Sequence, residues 1–211
     1  MDIKVTSSAG SVAAQNVVKL RCPKCRKNGT FEPLNTNDLV VQGTGHIVGL
    51  RRCPDPTCYS LVFFAGKPGQ PDEYYPPETI DFDTTKIPPS IQAAFEEAIK
   101  CHAQRCFVAS AIMVRKTLEE LCADRVATGA NLKDRIADLG SKVILPKELM
   151  DGLDALRLLG NDAAHLESKV YVAIGQTEVE ISIEFTKEVL KAVYQYSALL
   201  DKLNALKKPQ M

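Results

Sequence analysis

Cys22-Pro23-Lys24-Cys25 and Cys53-Pro54-Asp55-Pro56-Thr57-Cys58 decide how the first third of this 211-residue chain is read. A two-residue gap lets both sulfurs of the first pair turn toward one ion from a single tight loop. The four-residue gap of the second pair is looser but allows the same. The 27 residues between Cys25 and Cys53 are enough for a hairpin that returns the second loop to the first. Zinc takes four tetrahedral ligands and is well served by thiolates, so the two pairs predict one Zn2+ site held by Cys22, Cys25, Cys53 and Cys58. Four thiolates close the coordination sphere, so the expected role is structural. His46 is an alternative ligand, disfavoured by its place in an expected strand.

The flanks of both pairs read as strands. Val17-Val18-Lys19-Leu20 leads into the first pair, while His46 to Arg52 and Tyr59 to Ala65 bracket the second. So small a sheet buries too little apolar surface to fold unaided, and a metal would supply the missing stability. Lys19, Arg21, Lys24, Arg26, Lys27, Arg51 and Arg52 crowd the ligands, opposed by Glu32, Asp38 and Asp55. A modest phosphate-binding face and simple compensation of a doubly negative metal centre are both open readings.

The chain as a whole carries equal numbers of acidic and basic residues, 26 each. That argues against strong nonspecific attraction to nucleic acid or anionic membranes. The first 15 residues lack the pattern of a secretion signal. The longest mainly apolar run, Cys106 to Val114, is far below the ~20 residues of a membrane span. A cytoplasmic protein without membrane contact is expected, with its seven cysteines reduced. Cys101, Cys106 and Cys122 fall among apolar neighbours on expected helices and read as core thiols. His102 falls on the apolar face of its helix and reads as a core histidine.

Residues 67–89 hold six of the twelve prolines and an acidic excess, so they cannot be helical and read as an extended linker. Tyr74, Tyr75 and Phe82 are its expected anchors. The organisation that follows is a flexible tail over 1–16, a zinc ribbon over 17–66, the linker, and a helical domain over 90–208. The fold class is α+β, mostly α.

In the helical part, Ser90 is the expected N-cap of a first helix carrying Ile91, Ala94, Phe95, Ala98 and His102. A second helix runs from about Cys106 to Val126. Asn131 caps a short third helix ending at Gly140, and Pro146 opens a fourth through Leu149, Leu153 and Leu156. The last helix places Phe185, Val189, Val193, Tyr196, Leu200 and Leu203 on one face. Lys169 to Ile181 alternates around Gly175, as a hairpin or a loop would.

One stretch of the fourth helix carries candidate chemistry. In Arg157-Leu158-Leu159-Gly160-Asn161-Asp162-Ala163-Ala164-His165, the residues Arg157, Asn161 and His165 are four apart and line one helical face. Asp162 is placed to orient the imidazole. Gly160 costs about 1 kcal/mol relative to alanine in a helix, which is tolerable where another backbone must come close.

The order of these motifs resembles a bacterial family of unknown function assigned to the HEPN superfamily of helical bundles. The resemblance covers roughly residues 17 to 205. It rests on the cysteine pairs, Tyr75-Pro76 in the linker, Glu97-Ala98, Arg115-Lys116-Thr117-Leu118-Glu119 and the stretch ending in His165. It implies a HEPN-like helical bundle and a homodimer formed through it. Many HEPN proteins are metal-independent endoribonucleases of toxin and antiviral systems. The resemblance makes His165 the acid/base group, Asn161 the polar residue beside the catalytic arginine, and Arg157 the cation. The arginine positions of the family, 158 to 160, are here Leu158, Leu159 and Gly160. Arg157 stands one residue earlier, and Arg115 on the neighbouring helix is a second source of charge.

Three functions follow as expectations. The first is a zinc-stabilised HEPN-like module that binds RNA, a nucleotide or a protein partner of a defence system without cutting. The second is an endoribonuclease homodimer using His165. The third is a structural adaptor. No glycine-rich phosphate loop, dinucleotide fingerprint or nucleophile elbow points to another enzyme class.

Overall fold

A computed structural model describes residues 8–13, 18–42, 46–67, 70–164 and 173–206. The chain divides into two compact units, Met1–Thr79 and Ile80–Met211.

The first unit is an antiparallel sheet of seven strands: β1 Ser8–Ala13, β2 Val18–Arg21, β3 Asn28–Pro33, β4 Asn37–Val41, β5 Ile47–Arg52, β6 Leu61–Lys67 and β7 Gln70–Tyr75. β1 and β2 follow one another along the outer edge of β4 and β3, which in turn share one edge of β5. β6 takes the other edge of β5, and β7 lies outside β6. The unit is therefore an up-and-down meander whose first two arms are broken. The break between β3 and β4 is visible in the register: Pro33 faces Arg51 and Leu39 faces Val48, so residues 34–38 oppose only Gly49 and Leu50.

Period-two alternation puts Val18, Phe31, Ile47, Val62 and Phe64 inside. The buried clusters are small, the one at the cysteines holding only Cys22, Phe31, Cys53 and Val62 in full. Such clusters are too small to hold a sheet alone, which agrees with the expected need for a metal. The bend between β3 and β4 is filled instead by an ion pair. Arg51 and Asp38 are 0% and 2% exposed and joined twice, Nη1 to Oδ1 at 2.9 Å and Nη2 to Oδ2 at 2.5 Å. The guanidinium also lies 4.3 Å from the Phe64 ring.

Two stretches depart from the sequence reading. Residues 8–13, expected in a flexible tail, form β1 against β4. Residues 70–75, expected in the linker, form the edge strand β7. Both supply ladder bonds that hydrophobic content alone does not announce. Tyr74 packs on the sheet clusters as an anchor, whereas Tyr75 is 56% exposed and anchors nothing.

The second unit has six helices: α1 Pro89–Ala103, α2 Phe107–Asp124, α3 Leu132–Lys142, α4 Lys147–Ala164, α5 Gln176–Leu190 and α6 Tyr196–Ala205. α2 is central and packs on α1, α4 and α5. Ile91, Phe95, Leu118, Leu121, Leu139, Leu153 and Ile183 are among the side chains it gathers into one core. Phe82 joins this core edge-on to Phe95, 4.6 Å between ring centroids. The Ser110 hydroxyl donates to the Ala98 carbonyl at 2.7 Å, satisfying a buried polar group where α1 meets α2.

The helix starts differ in detail from expectation. α1 begins at Pro89 behind Pro88, so Ser90 lies in the first turn and is not the cap. Proline at N1 suits a position whose N–H has no partner anyway. Asn131 does cap α3, its side chain accepting from Asp134 N at 3.1 Å, but α3 continues past Gly140 to Lys142. Residues 176–181, expected in a hairpin or loop, open α5. The Gly175 N–H donates to the Glu178 carboxylate at 3.0 Å, and Val179 and Ile183 face the core. Lys169 to Val172 lie outside the described residues.

The last helix breaks at Lys191–Gln195, a π-helical turn. One residue inserted into a helix of 3.6 residues per turn rotates everything beyond it by about 100°. Val189 and Tyr194 are buried, whereas Tyr196, Leu199, Leu200 and Leu203 are 48%, 64%, 58% and 58% exposed, so the expected apolar spacing continues along α6 but is left uncovered among the described residues. Among the described residues no helix is long and apolar enough to cross a membrane.

Candidate metal centre and the polar face of α4

The two cysteine loops join β2 to β3 and β5 to β6, adjacent arms of the meander, at the same end of the sheet. They are built alike. Cys22 N–H donates to Lys27 O at 3.0 Å, and Cys53 N–H donates to Ser60 O at 2.9 Å, closing each loop. The residue after the second cysteine of each loop, Arg26 and Tyr59, has a left-handed backbone (φ 63° and 47°). That conformation folds the chain back toward its own start. In the second loop the Asp55 carboxylate accepts from Thr57 N at 2.8 Å, and it also pairs with Lys27 of the first loop. Lys27 and Asp55 thus tie the two loops together, and the pairing with Lys27, with help from Thr57, holds the Asp55 carboxyl down at about 2.

The four Sγ atoms all lie within 4.8 Å of one another. Cys22–Cys58 is 3.8 Å and Cys25–Cys53 is 3.7 Å. Four sulfurs about 2.3 Å from one ion at tetrahedral angles stand ~3.8 Å apart, so the set fits a four-thiolate metal site. It does not fit disulfides, whose sulfurs are about 2.05 Å apart. The charge argument agrees. Burial pushes the Cys53 thiol up to about 12. Burial acts the same way on Cys22, but the Ser60 hydroxyl and backbone N–H groups outweigh it and bring that thiol down to about 6. Four thiols packed this closely and shielded from water oppose one another's ionisation unless a cation shares their charge. His46 is not part of the cluster.

Ser60 was not singled out by the sequence, although it stands two residues after the last ligand. Its Oγ is 3.1 Å from Cys22 Sγ and 3.3 Å from Cys58 Sγ.

Four of the seven basic residues around the cysteines have partners within the sheet unit. Arg51 is buried with Asp38, Lys27 pairs with Asp55, and Arg21 Nη1 is 2.9 Å from Glu78 Oε1. Arg52 lies over the Tyr59 ring at 5.3 Å.

In the helical unit, α4 carries Arg157, Asn161 and Asp162, all partly buried. His165 lies one residue beyond the end of α4 and outside the described residues. Arg157 Nε is 2.7 Å from Asp154 Oδ1 on the same helix. Arg115 Nε is 3.3 Å from Glu119 Oε1, and its Nη1 donates to the Arg157 carbonyl at 3.3 Å. The two arginines are therefore neighbours at the α2–α4 crossing, each beside a carboxylate. Gly160 makes this crossing possible, because a Cβ there would stand 2.4 Å from Arg115 Cβ and 3.2 Å from the Ala111 carbonyl.

Of the remaining cysteines, Cys122 is buried, Cys101 partly so, and Cys106 is exposed. Cys106 precedes α2 and is not the core thiol expected. His102 has a 12% exposed side chain with Nε2 3.3 Å from Glu180 Oε1, and it packs near the Phe107 ring.

A family model described as a domain of unknown function, DUF4145, matches residues 96–208, more than half of the chain. The chain belongs to the DUF4145 family. The matched region begins inside α1 and takes in α2 to α6, so the α2–α4 crossing is part of the family domain while the cysteine site lies before it. No curated protein and no solved structure matches the chain.

Proposed function

We propose that this DUF4145 protein is a zinc-stabilised, noncatalytic recognition module with a HEPN-like helical unit that binds RNA or a nucleotide. Its ribbon is held by Zn2+ on Cys22, Cys25, Cys53 and Cys58. The observation that carries the noncatalytic reading is the engagement of both arginines. Arg157 is bound to Asp154, and Arg115 is shared between Glu119 and the Arg157 carbonyl. An arginine that stabilises a developing phosphate charge must face the scissile group with its donors free. Here Arg115 Nη1 ties α2 to the Arg157 carbonyl of α4, while Arg157 Nε pairs along its own helix with Asp154. The zinc reading rests on the sulfur spacing and the closed four-thiolate set. Zinc would supply folding free energy to the sheet and no reaction step. The same reading has the protein reduced in the cytoplasm, dimeric through its helical unit, and without membrane contact. A protein partner of a defence system and a purely structural adaptor are the further noncatalytic readings.

The experiment is RNA cleavage by purified protein in EDTA, wild type beside His165→Ala, with folding checked in the same buffer. Binding of labelled RNA or nucleotide without cleavage is expected. Products ending in 2′,3′-cyclic phosphate that vanish in His165→Ala would establish the alternative, an endoribonuclease with His165 as general acid/base. Metal analysis of the protein as purified, with one zinc per chain expected, tests the ribbon separately.

A further inference from the structure

Helices α1 and α2 end in the same way, and the comparison singles out two cysteines. At the end of α1 the Cys106 N–H donates to the Cys101 carbonyl at 2.9 Å and the Arg105 N–H to the His102 carbonyl at 2.8 Å, with Arg105 in a left-handed backbone (φ 60°). At the end of α2 the Ala127 N–H donates to the Cys122 carbonyl at 2.8 Å and the Val126 N–H to the Ala123 carbonyl at 3.0 Å, with Val126 at φ 53°. Both are Schellman motifs, in which the residues joined by the longer bond commonly pack side chain to side chain. α2 fills those two places with Cys122 and Ala127, both buried in the helical core. α1 fills them with Cys101, partly buried, and Cys106, exposed.

On a continuous helix, residues five apart would diverge by about 140°. The left-handed turn at Arg105 folds Cys106 back over Cys101 instead. The 2.9 Å bond between their backbones, with ordinary bond lengths, holds the two Cα atoms within about 6.8 Å. Disulfides span about 4.4–6.8 Å between Cα atoms. Burial raises the Cys101 thiol above its ordinary value, and the Cys106 sulfur adds to the effect, so the two groups feel one another. Cys106 Sγ stands 3.7 Å from the Gln104 carbonyl, a weak contact that a turn about χ1 gives up at little cost.

We propose that Cys101 and Cys106 are a redox pair at the α1–α2 turn, which a hydroperoxide closes to a disulfide and a thiol reductant reopens. The exposed Cys106 thiolate attacks one oxygen of the hydroperoxide. The O–O bond breaks, leaving a sulfenic acid on Cys106 and a hydroxide or alkoxide that takes up a proton. Cys101 gives up its proton and attacks that sulfur, the S–S bond forms, and the sulfenic oxygen leaves as water. Two thiols lose two electrons and the peroxide gains them. In a reducing compartment such a bond is transient and reports oxidant. The pair is separate from the four-cysteine cluster and needs no metal.

Trypsin cuts after Lys100, Arg105 and Arg115, so the bond would join peptide 101–105 to peptide 106–115. The test treats reduced full-length protein with hydrogen peroxide, caps the remaining thiols with iodoacetamide, and maps the tryptic peptides by mass spectrometry. The 101–105 and 106–115 peptides should appear linked, and dithiothreitol should separate them. Cys122 should stay unlinked, since Ala127 occupies its partner's place. Cys101→Ser strands the sulfenic acid, so its trapping on Cys106 by dimedone should rise roughly tenfold or more over wild type, because a neighbour held in the same turn outruns a bimolecular trap. Wild-type protein in which Cys106 proceeds to sulfinic acid, or links to a second copy of itself, while Cys101 stays free would overturn the proposal whatever the variant does. Equal dimedone trapping in wild type and Cys101→Ser would overturn it as well.

Discussion

Removing the Asp38 carboxylate should cost the sheet unit more than any other single surface-neutral change. Arg51 is fully buried, and Asp38 makes two charge-assisted bonds to it, at 2.9 and 2.5 Å. Truncating one member of a buried ion pair strands the other charge and typically costs about 3–5 kcal/mol. A unit of this size has roughly 4–12 kcal/mol in total, so Asp38→Ala should consume about a quarter of it or more. Gly49→Ala gives the same loss from the neighbouring strand, because its Cβ would stand 2.0 Å from Asp38 Oδ1 and force the carboxylate off the guanidinium. The paired replacement Asp38→Leu with Arg51→Met removes both charges and should return stability to within ~2 kcal/mol of wild type. The assay is amide hydrogen exchange of the zinc-loaded full chain, read on peptides covering 37–52. At about 1.4 kcal/mol per tenfold, both single variants should lose roughly 10²–10³-fold of protection there. Asp38→Ala with less than a tenfold loss, or a double variant as weak as the single ones, would refute the argument that an unpaired buried guanidinium sets the cost.

Gly160→Ala gains about 1 kcal/mol of helix propensity but loses more to overpacking at the α2–α4 crossing, for a net loss of roughly 1 kcal/mol. Gly140→Ala, whose added Cβ meets only the flexible end of Met150 at 3.1 Å, should gain up to about 1 kcal/mol. Melts followed at 222 nm that move in the same direction for both would contradict the close approach. Stripping the metal with a chelator should abolish exchange protection in the sheet unit and leave helical ellipticity in place; intact sheet protection without metal would show that the sheet is self-sufficient. Burial raises the Cys122 thiol to about 11, so a thiol reagent should label exposed Cys106 within minutes and spare Cys122 until the helical unit unfolds; equal labelling in native protein would be the contrary result. Asp138 is held below its ordinary 3.8 by the Thr128 backbone N–H, with further bonds from the Thr128 hydroxyl and Lys142. Its bonds therefore stabilise the fold above the ordinary carboxylate range and are lost as pH falls through the lowered value. Asp138→Asn should flatten that part of the acid limb, and a carboxyl-carbon titration midpoint above 3.8 would contradict the sign.

The four-cysteine cluster was legible because the spacing within each pair is a local property: Cys22 and Cys25 can turn to one point whatever surrounds them. The helices α1 to α4 were legible for a similar reason, since 3.6-residue periodicity is written along the chain. Strands β1 and β7 were not, because a strand at a sheet edge is stabilised by the ladder of its neighbour and needs little apolar alternation of its own. The α5 start was misread because Val179 and Ile181 alternate over too short a window to separate period two from period 3.6. The exposure of α6 was not legible because apolar spacing tells which residues share a face and not whether another element covers it. Arg51 looked like a surface cation in the sequence, and only the register of β4 against β5 reveals that Asp38 buries it.

The sequence by itself determined which four cysteines cluster, the mostly helical second unit, and the expectation that Gly160 marks a close approach. Each of these follows from short-range spacing or from the cost of a single residue in a helix. The tertiary structure decided that Arg157 and Arg115 are bound to Asp154 and Glu119, that Arg51 is buried, and that Ser60 Oγ lies beside the sulfurs of Cys22 and Cys58. Which charge meets which, and which sulfur receives a donor, depends on residues far apart in the chain and brought together only by the packing of helices and the register of strands.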